Sequence, residues 1–482
     1  MMPEKTRNPF TTLFYKSIAG RWKVLPGVFI LLALSACAAV GLDYSKPRTE
    51  VPPELAGEVR GAGDLTLWWA AFHDPVLSEV IEQAISQNLD MKQALARLNE
   101  SRARRGLSRT EYYPGLDASG EASRSRSGES ALSGGGGGIR ESYSAGFDAG
   151  WEIDVFGGVR RSVAAAEADL EAMEAGLGDV RVSLAAETAL AYVEVRTLEA
   201  RLETAAANLT AQTETFELVG YRFEAGLTDE LAFQQARYQL KSTRSQIPAL
   251  RASLDAAKNR LAVVTGRPPG AVNELLVKSQ GVPAAPQLAT SGIPANTLRR
   301  RPDIRKAERE LAAQTERIGV ATADLYPRFT LAGAIGLESA DSGDLLTAGS
   351  RYWRIGPGVS WKVFDAGAVR RNIEIQTAIQ EQYLIAYEQT VLGALEEVKN
   401  AMTAYVEDQV TQESLTGAVD AARRAEELAR EYYLSGMADF VDVLEAQRSL
   451  LSFENQLAES RGAVAADLIR LYKALGGGWK SE

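Results

Sequence analysis

Chemistry that needs cysteine or histidine has almost nothing to work with here: 482 residues hold one cysteine, Cys37, and one histidine, His73. A single cysteine excludes an internal disulfide. Without a His/Cys cluster, a zinc site or a thiol nucleophile is unsupported. His73 lies in a loop beside Asp74 and Pro75, where a lone histidine is far more often structural than catalytic. The five-glycine run Gly134 to Gly138 has no Lys-Ser/Thr after it, so it is not a phosphate loop. The inventory therefore points away from an enzyme. Positive charge is short as well: 53 Lys and Arg against 63 Asp and Glu give a net charge of −10, which argues against nucleic acid as a partner. Aromatics make up only 7%, while alanine and charged residues abound, a balance that suits long helices better than a large sandwich core.

The apolar stretch Val24 to Leu34 falls well short of the roughly 20 residues that a membrane-crossing helix needs. Lys5, Arg7, Lys16, Arg21 and Lys23 precede it and Leu34-Ser35-Ala36-Cys37 closes it, which reads as a secretory signal rather than an anchor helix. That ending resembles the lipobox of bacterial lipoproteins. The resemblance implies removal of residues 1–36 and acylation of Cys37, a covalent lipid with no other cofactor. Ala38 is not the aspartate that retains most enterobacterial lipoproteins at the inner membrane, so outer-membrane delivery is implied.

The rest of the chain reads itself twice. Trp151, Gly157, Val159, Arg160 and Arg161 recur 210 positions later as Trp361, Gly367, Val369, Arg370 and Arg371. Upstream the shift is 213, carrying Asp90, Tyr113, Pro114 and Gly120 onto Asp303, Tyr326, Pro327 and Gly333. The length difference falls between Gly120 and Trp151, in the glycine-rich stretch.

Each half carries strands that alternate strictly. Tyr143, Ala145, Phe147, Ala149, Trp151, Ile153 and Val155 oppose Ser142, Ser144, Gly146, Asp148, Gly150, Glu152 and Asp154. In the second half Trp353, Ile355, Pro357, Val359, Trp361 and Val363 oppose Arg354, Gly356, Gly358, Ser360 and Lys362. With the strands after Pro114 and Pro327, this makes four in two hairpins. A soluble half-buried sheet alternates in the same way, but the length and the aromatics near the ends match a membrane barrel. Four strands can neither leave edges in lipid nor enclose a lumen, so the barrel must be shared among copies, with eight strands from two or twelve from three.

Between Val155 and Gly226, and between Phe364 and Gly436, no proline occurs. The spacing of Leu184, Thr188, Ala191, Val195, Leu198, Leu202, Ala205, Leu209, Gln212, Phe216, Val219 and Phe223, echoed by Val391, Leu395, Val398, Met402 and Tyr405, predicts coiled-coil helices of about 100 Å. Gly226 followed by Asp229, and Gly436 followed by Asp439, end them in tight reversals. The fold class is thus α+β: long helical hairpins plus four transmembrane strands per chain, internally duplicated. The expected organisation is a signal at 1–36, an acylated extended segment at 37–75 and a first repeat at 76–265, with its β-hairpin at about 114–155 and its helical tip near 226. A linker follows at 266–295, then a second repeat at 296–475, with its β-hairpin at about 327–364 and its tip near 436, and a tail at 476–482.

Four stretches carry a family resemblance: Trp68-Trp69-Ala70-Ala71-Phe72-His73-Asp74-Pro75, Arg300-Arg301-Pro302-Asp303-Ile304-Arg305, Ile318-Gly319-Val320-Ala321 leading to Tyr326-Pro327, and Val441-Asp442-Val443-Leu444-Glu445-Ala446-Gln447. In order and spacing the chain resembles the outer membrane factor family, the TolC/OprM/NodT-type efflux channels. The resemblance implies a homotrimer with a twelve-stranded barrel in outer-membrane lipid above a periplasmic helical tunnel. It also implies a periplasmic adaptor (membrane fusion) protein and an inner-membrane RND-type pump as partners. Asp442 and Glu445, three apart, match the acidic positions that narrow the periplasmic end, where carboxylate rings repel one another and favour cations. Tyr433 and Arg461 match positions whose contacts latch the closed end. Arg222, Gly226, Asp229, Tyr432, Gly436 and Asp439 are the expected adaptor-contacting tips. The rival readings are a type I protein secretion duct and a structural lipoprotein scaffold without transport, the latter leaving the strand hairpins without a purpose.

Overall fold

Two helices of 67 residues and two of 35 dominate the described chain, and each length occurs once per repeat. The computed structural model describes residues 39–47, 52–53, 55–57, 59–60, 65–126, 139–277, 281–286, 289–290, 292 and 297–480. The signal segment, Cys37 and the five-glycine run lie outside them. In chain order the helices are α1 (Pro75–Gln87), α2 (Leu89–Thr110), α3 (Gly158–Glu224), α4 (Glu230–Val264), α5 (Pro302–Ala323), α6 (Ala368–Leu434) and α7 (Phe440–Ala474). The strands are β1 (Gly115–Arg126), β2 (Ile139–Ile153), β3 (Arg328–Ser339) and β4 (Arg351–Ser360), and shorter pieces carry no label. Two compact units emerge. One gathers Glu100–Glu171, Arg309–Ile385 and the N-terminal segment through Lys46; the other gathers Pro47–Asn99, Ala172–Glu308 and Ala386–Glu482.

The first unit holds the sheet, antiparallel in the order β1-β2-β3-β4. Its apolar positions line up across all four strands: Ala118 beside Phe147, Phe147 beside Ile335, Ile335 beside Trp353. Among the described residues no layer covers that row, since Phe147 is 53%, Ile335 63% and Trp353 76% exposed. In water such a contiguous apolar face is a liability; in lipid it is the stable arrangement. The opposite face is polar, with Ser119 Oγ donating to Asp148 Oδ2 at 3.0 Å and Arg354 lying 3.8 Å from Asp148. At the foot of the sheet the indole of Trp151 donates to the Tyr112 carbonyl at 3.1 Å, and that of Trp361 to the Leu325 carbonyl at 3.0 Å. These are repeat-equivalent bonds, each satisfying a carbonyl just past a helix end. The alternation in the sequence extends to Val363, but β4 stops at Ser360.

Arg161 anchors the described N-terminal segment. It is buried and donates to Asp43 at 2.8 Å, Glu316 at 2.8 Å and the Val40 carbonyl at 3.3 Å. Its stem lies flat on Gly319, where a Cβ would come within 2.8 to 3.0 Å of it. Any larger residue at 319 would have to displace a buried, fully bonded guanidinium.

In the second unit the helices pack on a core that includes Trp68, Leu77, Ile81, Tyr192, Leu261, Tyr405, Leu468 and Tyr472. Trp68 stacks on Tyr472 at 5.4 Å. Along α3 the predicted seam residues Leu184, Thr188, Ala191, Val195, Ala205, Gln212 and Val219 are buried. Asp74 caps α1 through the Val76 and Leu77 amides, and its second oxygen accepts from the Tyr192 hydroxyl at 2.7 Å. Burial pushes that phenol well above its ordinary range, and the Asp74 carboxylate adds to the shift.

Asp467 on α7 is buried, and burial together with a hydrogen bond shared with Asp408 of α6 pushes its carboxyl up to about 6, although Arg470 opposes the shift. An acid whose pKa is higher in the folded state binds protons more tightly there. Its contribution is therefore most favourable below the unfolded value of 3.8 and is lost as pH rises toward 6. Asp467→Asn should raise stability at pH 8 by at most about 3 kcal/mol and change it little at pH 4. Thermal melts of the helical signal across that range check this, and an equal effect at both pH values would refute the assignment.

Candidate functional site

Both long hairpins turn by the same chemistry. After α3, Gly226 takes φ +69° and the Leu227 amide reaches back to the Arg222 carbonyl at 2.8 Å; after α6, Gly436 takes φ +73° and the Met437 amide reaches the Tyr432 carbonyl at 2.8 Å. This six-to-one closure needs a left-handed residue, which glycine supplies without strain. Asp229 then caps α4 by accepting the Ala232 amide at 2.8 Å, and Asp439 precedes α7. Gly226, Asp229, Tyr432, Gly436 and Asp439 are exposed at the turns.

Behind the turns the hairpins share a small core of Val219, Ala232, Ala236, Tyr433, Phe440, Val443 and Leu444. Val443 and Leu444 face inward while Asp442 and Glu445 stay exposed, so the two carboxylates lie on the face that this core leaves open. Asp442 also has a local duty: its Oδ2 accepts the Asp439 amide at 3.2 Å. Asp439, Asp442 and Glu445 form an acidic strip, one residue per helical turn. At the next step the strip ends in Arg448, whose guanidinium donates to Gln239 of α4 at 2.8 Å and lies 5.4 Å over the Tyr238 ring.

Arg222 points differently from the expectation of an outer contact. Its guanidinium lies 4.6 Å over the Tyr433 ring and donates to the Tyr433 carbonyl at 3.4 Å, so it clasps one hairpin to the other. Tyr433 is buried in that clasp. Arg461 is not brought near it within the chain. It sits about six turns up α7, roughly 30 Å away along the helix, lining a groove of about 850 Å³ with Val282, Pro283, Val406 and Glu413. The sequence reading missed Arg448, Tyr238 and Gln239. The signal was present in the duplication, because Tyr238 and Arg448 are 210 apart and so occupy equivalent positions with complementary side chains.

Arg222→Ala should loosen the tips by about 1–2 kcal/mol, raising amide exchange near residues 219–236 and 433–444 roughly tenfold while leaving the main melting transition in place. Unchanged exchange at both tips would show that the clasp carries no energy.

The chain as a whole has close counterparts in sequence and fold. A family model described as outer membrane efflux protein matches residues 80–267 and 293–477. Nodulation protein T of Rhizobium leguminosarum bv. trifolii is 33% identical over 460 residues, covering 94% of this chain and 96% of that protein. Outer membrane protein OprJ of Pseudomonas aeruginosa is 30% identical, covering 94% and 95%. Among solved structures, the outer-membrane channel OprN superposes with a TM-score of 0.84 at 34% identity, covering 92% of this chain and all of that one. The open state of the Neisseria gonorrhoeae MtrE outer membrane channel gives 0.79 at 28%, covering 92% and 98%. The chain belongs to the outer membrane efflux protein family and is a channel of the cell outer membrane.

Proposed function

We propose that the chain is the exit duct of a tripartite efflux system, passing small molecules such as drugs or toxic compounds to the exterior, with its periplasmic end narrowed by Asp442 and Glu445. The observation that carries the reading is the four-stranded sheet whose apolar face is exposed and whose outer strands, β1 and β4, pair on one side only among the described residues. In lipid each orphan backbone group costs several kcal/mol, so the edges must be closed by further copies. Three copies supply twelve strands, enough for a lumen, and the polar face bearing Asp117, Asp148, Glu152 and Arg354 then lines it. No step of this reading needs catalysis. Cys37 carries the lipid that tethers the assembly.

At the tips of the second hairpin, three copies place three Asp442 and three Glu445 carboxylates around one axis. Their repulsion and their attraction for cations act on the narrowest part of the path. The exposed tips, with glycines that permit close backbone approach, meet the periplasmic adaptor, and the inner-membrane pump completes the conduit. Relatives with this architecture are named for quite different cargoes, a cation efflux system in Escherichia coli and a toluene efflux pump in Pseudomonas putida. Cargo selection therefore belongs to the pump rather than to the duct.

Single-channel conductance in planar bilayers tests the gate. Asp442→Ala/Glu445→Ala should raise conductance severalfold or lower cation preference relative to wild type. Trimers of wild type and variant with identical conductance and selectivity would remove these carboxylates from the constriction.

A further inference from the structure

Within the sheet the described strands contain one junction between the repeats, and that junction predicts the junction between copies. Within the sheet, β2 of the first repeat meets β3 of the second, with Phe147 opposite Ile335, Ala149 opposite Gly333, Trp151 opposite Leu331 and Glu152 opposite Thr330. The two hairpins share one register. Leu116 opposite Ala149 becomes Phe329 opposite Val359, and Ala118 opposite Phe147 becomes Leu331 opposite Pro357, under the shifts of 213 and 210 that relate the repeats. Even their ends agree: Gly115 opposite Gly150 becomes Arg328 opposite Ser360. A closed assembly of identical copies must join β4 of one to β1 of the next, and these strands are the repeat equivalents of β2 and β3.

Resting on the trimeric reading above, we propose that β4 and β1 of neighbouring copies pair in the register of the β2–β3 junction, setting Lys362 directly opposite Asp117 of the next copy. The same operation sets Trp361 opposite Ala118, Val359 opposite Gly120 and Pro357 opposite Ala122. Three observations support it independently. The first is parity, because the apolar row passes unbroken from Val359 and Trp361 into Gly120 and Ala118. A slip of one residue would turn Lys362 toward lipid. A slip of two keeps parity but sets Lys362 against Ser119 or Gly115, and the opposite-charge pair is lost.

The second is where β4 stops. Trp151 to Ile153 belong to β2 although β1 begins opposite Gly150, so β3 alone holds them in the sheet. Their equivalents, Trp361 to Val363, fall outside β4 in the single chain. They are the residues that a neighbour's Leu116 to Ala118 would pair. The third is an open seat below the sheet. Arg161 lies flat on Gly319 within the chain, and the equivalents are Arg371 and Gly106. Arg371 is 78% exposed and nothing lies within 4 Å of a Cβ placed at Gly106, so the packing can be repeated between copies. The ion pair to Glu316 is not repeated, because its equivalent is Ala103.

Oxidative cross-linking of the purified full chain tests the register, with the single-cysteine chains as controls. Lys362→Cys/Asp117→Cys should give disulfide-linked species up to the trimer, because directly opposite residues bring their Cβ atoms within reach of a disulfide. Lys362→Cys/Ser119→Cys and Ser360→Cys/Asp117→Cys, two residues out of register, should not. Efficient linkage of an offset pair instead would overturn the register, as would failure of every pair in a protein that light scattering shows to be trimeric. A protein that is not a trimer at all would overturn the underlying oligomer reading, which is a separate failure. Charge reversal gives a second readout: Lys362→Asp or Asp117→Lys alone should lower the temperature at which the trimer dissociates, and combining them should restore it. A double variant no better than the worse single one refutes the pair.

Discussion

The unpaired backbone of a sheet edge is the constraint from which most of this molecule follows. A strand that leaves its amides and carbonyls unsatisfied is merely sticky in water, whereas in hydrocarbon it is prohibitively costly. Four strands with an apolar face therefore cannot serve as a membrane protein in a single copy. The shared register of the two hairpins shows how the chain meets this constraint with little new information: one hairpin geometry, made twice and joined to itself, already defines a closed ring. The foot of the sheet follows the same rule, with one indole per repeat satisfying the carbonyl that the helix-to-strand turn leaves over.

What the sequence made legible was whatever depends on periodicity. Alternation of two placed Phe147, Trp151 and Ile335 on one face because that face meets a different medium from the other, and no tertiary detail enters into it. The 4,3 spacing of α3 marked its buried seam for a similar reason, since any helix of that length needs a continuous partner. Gly226 and Gly436 were legible because a helix that must end and reverse within three residues needs a left-handed position, and glycine fills it without strain. Directions within a crowded tip were not. Whether Arg222 points outward or folds over Tyr433 depends on the position of the other hairpin, which lies 211 residues away in sequence. The separation of Tyr433 from Arg461 is likewise invisible to a pattern that gives each a role without giving them a distance.

The buried polar groups divide along a similar line. Asp74 and Arg161 lie in the interior but have every visible need met, by amides, a phenol, carboxylates and a carbonyl. Such groups fix one arrangement, because moving any partner strands a desolvated charge. Asp467 differs in that a second carboxyl, Asp408, is among its neighbours. Two acids in contact cannot both be satisfied as anions, so here in the helical packing proton binding and stability are coupled.

The duplication also has a limit, and the limit lies where the acidic strip is. The positions equivalent to Asp442 and Glu445 in the first repeat are Ala232 and Gln235, and Ala232 is buried in the tip core. The hairpins thus have nearly the same shape and different charge. On the trimeric reading, hairpins that carry the Asp442 and Glu445 carboxylates alternate with hairpins that have Ala232 and Gln235 at those positions, so each of these carboxylates has like charges as its next-but-one neighbours rather than its immediate ones. Coulomb repulsion falls with distance and with the water between the tips, so three acids held apart repel far less than six in contact. In the proposed gate, that spacing would lower the free energy needed to hold the end closed and would concentrate on the second hairpin the force that favours its opening.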